Sequence, residues 1–71
     1  MTRYLPLYRI RIDNNGTVEH TPYSTVQQDI MRQGHMLLFQ NPGCIYNVEI
    51  MEQDSWSHFM TLRDFLNWVL I

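Results

Sequence analysis

Lysine is missing from this chain: all five basic residues are arginine. That absence removes a P-loop lysine, a Schiff-base lysine and a lysine-rich phosphate track from consideration. Cysteine is nearly missing. Cys44 stands alone, so no intramolecular disulfide can form, and no basic segment leads into a long apolar run as in a secretory signal. A cytoplasmic home is the expectation. Long apolar stretches are lacking too. Leu62 to Ile71 is broken by Arg63, Asp64 and Asn67 and falls far short of the roughly 20 residues that span a bilayer.

What remains is enough for one small core. Seventy-one residues with 45% hydrophobic content, including two Trp, four Tyr and three Phe, make a single domain over 1–71. Such a core seldom yields more than roughly 3 to 5 kcal/mol by itself, which makes self-association or a bound partner a fair expectation. Seven carboxylates against five arginines leave the chain slightly acidic.

The pattern along the chain predicts an α+β fold, a small antiparallel sheet of four or five strands with two helices on one face, in the order ββαβββα. From Tyr4 to Ile12 the residues alternate, with Tyr8, Ile10 and Ile12 facing one way and Arg9 and Arg11 the other. Asp13-Asn14-Asn15-Gly16 carries an Asn-Gly turn signal, and Thr17 to His20 is the return strand. Tyr23, Val26, Ile30 and Met31 form a helical stripe, with Ser24 and Gln27 as a capping box and Gly34 as the left-handed stop. Met36 to Phe39 is apolar on both faces and reads as a central strand covered on two sides, or as one whose second face meets a partner. Asn41-Pro42-Gly43 then reads as a turn into a strand from Cys44 to Met51, with Cys44, Tyr46, Val48 and Ile50 inward and Asn47 and Glu49 outward.

After a turn at Glu52 to Ser55, Trp56 to Met60 reads as a doubtful fifth strand. The competing reading is one long helix from Ser55 to Leu70. Thr61 caps a closing helix in which Leu62, Phe65, Leu66, Val69 and Leu70 share a stripe. Trp68 and Ile71 fall outside that stripe and are expected to be underburied.

No constellation in the sequence supports an enzyme, a cofactor or a metal. His20, His35, Cys44 and His58 lie 9 to 15 residues apart, without any pair at ligand spacing. Glu49, Glu52 and Asp54 read as solvated acids around a turn rather than an acid and base pair. The reading is therefore a non-catalytic protein that binds another protein or itself. The expected contacts are Arg9 and Arg11 on the outer face of the first strand, with Trp56 and Trp68, since arginine and tryptophan dominate interface energetics. Chains of this size without catalytic signatures are often stoichiometric inhibitors or accessory factors of phages and mobile elements. The alternative is single-stranded nucleic-acid binding through the Arg9/Arg11 strand, with Tyr4 and Tyr8 close by, although the alternation places these tyrosines on the face opposite the arginines. The acidic balance argues against it.

Overall fold

A computed structural model of the chain describes residues 5–68. Tyr4, Val69, Leu70 and Ile71, which entered the sequence reading, lie outside the described residues. The elements run β1 (Leu7–Asn14), β2 (Thr17–His20), α1 (Gln27–Gln40), β3 (Ile45–Glu52), β4 (Ser55–Thr61) and α2 (Leu62–Leu66). The strands form one antiparallel sheet in the order β2-β1-β3-β4. The fold is α+β with both helices on one face.

The first hairpin forms where the Asn-Gly signal places it. Asn15 (φ 53°) and Gly16 (φ 92°) both take left-handed backbone, as a two-residue type I′ turn requires, and Asp13 Oδ1 accepts the Gly16 amide at 2.9 Å. Beyond β2 the chain continues alongside β1, although Pro22 has no amide to donate. Thr21 supplies the bridge, its hydroxyl accepting Ile10 N–H at 2.9 Å while its own N–H donates to Ile10 O at 3.0 Å. Ser24 and Tyr8 then exchange both backbone bonds at 2.9 Å. This fixes the start of α1 against the sheet.

Helix α1 departs from the expectation at both ends. Val26 is its N-cap, without a side-chain cap bond, and Ser24 acts two residues earlier, its hydroxyl accepting Val26 N–H at 3.0 Å and donating to Asp29 at 3.2 Å. The Ser24 and Gln27 capping box does not form. Gly34 is not a stop but a packing position: a Cβ there would sit 2.7 Å from Leu62 Cδ1, so the missing side chain lets α2 close onto α1. The helix continues through His35-Met36-Leu37-Leu38-Phe39, all compatible with helix, and ends at Asn41 just before Pro42. The expected central strand at Met36–Phe39 is thus the second half of α1. Asn41-Pro42-Gly43 connects a helix to a strand rather than closing a hairpin.

The doubtful fifth strand is real. Ser55–Thr61 pairs with β3 across a turn in which Gln53 adopts φ 64°, and the long-helix alternative for Ser55 to Leu70 falls. The serines, Trp56 and His58 are mediocre helix formers and half-exposed strand residues, so pairing with β3 prevails. Phe59 is bulged out of register between the Val48 and Glu49 pairings. Thr61 caps α2 as expected, accepting Asp64 N–H at 3.2 Å, but the helix runs for five residues only.

Tyr8 and Ile10 from β1, Tyr46, Val48 and Ile50 from β3, Ile30 from α1 and Leu62 and Phe65 from α2 make the buried core. The alternation fixes what faces the other way. Leu7, Arg9, Arg11 and Asp13 on β1 stand opposite Met51, Glu49, Asn47 and Ile45 on β3, on the face without helices.

Candidate functional site

The helix-free face gathers side chains that the sequence places forty residues apart. Arg9 lies opposite Glu49 in the β1–β3 register, and its Nε donates to Glu49 Oε1 at 2.8 Å. From the next strand outward, Trp56 lies beneath the guanidinium, whose Cζ is 4.1 Å from the ring centroid. Tyr23 stands beside Trp56 with ring centroids 6.5 Å apart, and it is 65% exposed. On the other flank His20 Nε2 lies 3.4 Å from the same Glu49 oxygen. One carboxylate therefore joins β1, β2 and β3.

Burial gives this cluster its stiffness. The Arg9 and Glu49 side chains keep 23% and 16% of their surface, so the pair is partly desolvated and held by both charge and stacking. Arg11 is looser, its Nη1 3.9 Å from Asp13 Oδ2 on its own strand. Arginines and carboxylates alternate across the face and offset one another.

Of the expected contact residues, Arg9, Arg11 and Trp56 share this face and Trp68 does not. Trp68 packs beneath the sheet in an aromatic cluster, with ring centroids 5.3 Å from Phe59, 5.5 Å from Phe65 and 6.2 Å from Tyr8. The angular projection along a longer closing helix put it outside the core. Because α2 ends at Leu66, the chain leaves the helix and turns the indole inward, correcting the expectation of an underburied tryptophan. Its carbonyl accepts Gln27 Nε2 at 3.5 Å, while Gln27 Oε1 is buried without a partner among the described residues.

Glu49, His20 and Tyr23 were missed as site residues. The signal for Glu49 was present, since alternation already turned it outward on its strand. Its pairing with β1 across forty residues has no local signature. Equally unforeseen is the outer side of α1, where Phe39 is 90% exposed and Met36 55%. A strand there implies cover on both sides or a partner on the second.

The described residues hold no group of three His, Cys, Asp or Glu that could bind a metal ion. His35 and Cys44 line a groove of about 490 Å³ between the helices together with Pro42, Leu62, Arg63 and Leu66, away from His20 and His58. Both buried tyrosines are held protonated. Burial raises the Tyr46 hydroxyl first, with the adjoining Cys44 adding to it, and burial followed by the charge of Glu52 raises Tyr8. Tyr46 uses its hydroxyl structurally, donating to the Asn41 carbonyl at 2.5 Å and the Leu37 carbonyl at 3.2 Å, where α1 ends.

Comparisons with family models, curated proteins and solved structures return no match. Among the described residues no helix is long and apolar enough to cross a membrane.

Proposed function

We propose that this chain is a non-catalytic protein-binding module whose contact surface is the helix-free face of its sheet, centred on Arg9 and Trp56. The observation that carries the reading is the Arg9 geometry: stacked at 4.1 Å on Trp56 and bonded through Nε to Glu49, the guanidinium is fixed before any partner arrives. Its Nη atoms make no hydrogen bond among the described residues and can meet a partner's carboxylate or carbonyl. Rigid arginine and aromatic anchors lose little conformational freedom on binding and are the residue types that dominate interface energetics. Tyr23 extends the aromatic surface at one side, and Ile45, 64% exposed, extends the apolar one at the other.

The charge balance favours a protein over a nucleic acid. Arg9 is matched by Glu49 and Arg11 lies near Asp13, so among the described residues the face offers no uncompensated cationic track for a phosphate backbone. Occlusion of a partner's surface by such a face is how a small stoichiometric inhibitor or accessory factor would act.

The test is crosslinking capture in the native host, followed by binding titrations with the partner it yields. Wild type and Phe39→Ser should bind alike, whereas Arg9→Glu and Trp56→Ala should each weaken binding by about tenfold or more. Equal binding by all four proteins would overturn the assignment of the face. Capture that disappears on nuclease treatment would move the reading to nucleic acid.

A further inference from the structure

The sheet has two edges of different character. β2 is short, carries Glu19, and is followed by Pro22, all features that discourage strand addition. β4 is seven residues long, contains no carboxylate, arginine or proline, and no strand pairs with its outer side among the described residues. Only the bulge at Phe59 interrupts it.

The direction of its free backbone groups follows from the hairpin. Gln53 and Asp54 form a two-residue connection, so Ser55 exchanges hydrogen bonds with Glu52, and bonded and non-bonded pairs alternate from there. Ser57 therefore turns its N–H and C=O to Ile50. Trp56 and His58 turn theirs to the open edge.

The geometry points to a two-fold dimer in which β4 pairs antiparallel with β4 of a second copy, the axis passing through Ser57. In this register Trp56 of each copy lies opposite His58 of the other, and both exchange the backbone bonds that the edge leaves free. Ser57 meets its own counterpart in a non-bonded pair, where Cα atoms approach to about 4.5 Å and the two side chains lie close together. Self-pairing about a two-fold sets like residues near one another. A strand without carboxylates or arginines is the one that tolerates this. The result is a continuous sheet of two copies, with the two Arg9 and Trp56 clusters side by side on its helix-free face. The inference does not rest on the partner-binding reading, because it uses the edge and not the face.

The contact is modest in area, so the dimer should be concentration-dependent. Sedimentation velocity over about a hundredfold range of concentration should show a monomer–dimer equilibrium. Ser57→Lys, an exposed substitution that sets two ammonium groups together at the axis, should weaken association by at least about tenfold. Thr17→Lys on the guarded edge should leave association unchanged.

A second measurement reads the register directly. In a Cys44→Ser background, Ser57→Cys should give a disulfide-linked dimer on mild oxidation, because non-bonded pairs fall within disulfide reach. Ser55→Cys should not, since its counterpart lies several residues away along the strand. A monomer at every concentration would overturn the proposal. So would equal crosslinking of both cysteine variants, or a dimer dispersed by Phe39→Glu and indifferent to Ser57→Lys, which would place the interface on α1.

Discussion

Alternate residues of the same strands build two unlike surfaces. On one face of β1 and β3, Ile10 and Val48 are fully buried beneath α1 and α2. On the other, one residue along, Arg9 and Glu49 form a partly desolvated ion pair, its guanidinium stacked on Trp56. The first surface is irregular in shape and made of dispersion and burial. The second is made of directed contacts that cost desolvation and return little stability. The difference teaches where stability ends and recognition begins in a domain this small: substitutions on the covered face should unfold the protein, whereas those on the open face should leave it folded and alter what it binds.

The largest expected effect comes from the covered face. Phe65→Ala should cost about 3 to 5 kcal/mol and Ile10→Ala about 2 to 5 kcal/mol. That is comparable with the whole stability of a domain this size, so circular dichroism at 25 °C should show a largely unfolded chain. Retention of a cooperative urea transition near the wild-type midpoint would erase the contrast between the faces. Gly34→Ala comes next. The added methyl meets Leu62, itself 2% exposed, whose terminal methyl must shift to admit it, so overpacking of about 1 to 3 kcal/mol should exceed the helix-propensity gain of about 1 kcal/mol.

Tyr46→Phe should cost about 1 kcal/mol at neutral pH through the lost bonds at the end of α1. It has a second readout. A tyrosine raised above its ordinary value of 10.0 keeps its proton in the folded state longer than in the unfolded one. Its contribution is complete below pH 10 and is lost as pH climbs through and beyond that value. Alkaline unfolding should therefore be shallower in Tyr46→Phe, with Tyr8 accounting for part of what remains. A steeper alkaline transition would reverse the assignment.

The smallest stability effect belongs to the open face. Glu49→Gln and Arg11→Ala should each shift stability by less than about 1 kcal/mol. Glu49→Gln frees Arg9 from its charged anchor and should still weaken partner binding. A Glu49→Gln protein that unfolds would mean that the ion pair holds the sheet together, and the two faces would no longer divide the work.

Much of this division could be read from the residues. Alternation gave both faces of β1 and β3, Asn15-Gly16 gave the first turn, and Thr61 gave the start of α2. The middle of the chain resisted. Gly34 looks like a stop because a glycine's freedom and its smallness have the same letter, and only the approach of Leu62 tells which is used. Met36 to Phe39 is a short apolar run whose helix and strand readings differ only in what lies above it. The candidate site was legible as separate outward residues. What brought Arg9, Glu49 and Trp56 together is the placement of β3 beside β1, a tertiary choice that no local pattern encodes.

That placement also orders events in time. β1 receives its second neighbour from a strand whose first paired residue, Ile45, comes thirty-two residues after Asp13, its partner. The Asn15-Gly16 hairpin can close within microseconds of its synthesis. It then stands half-made, one long side of β1 unpaired, until β3 is complete. Joining the two hairpins is the slow, non-local step of folding. During that interval the side of β1 that will receive β3 is the segment most exposed to mispairing, with Arg9 and Arg11 facing away from the core as its charged guards.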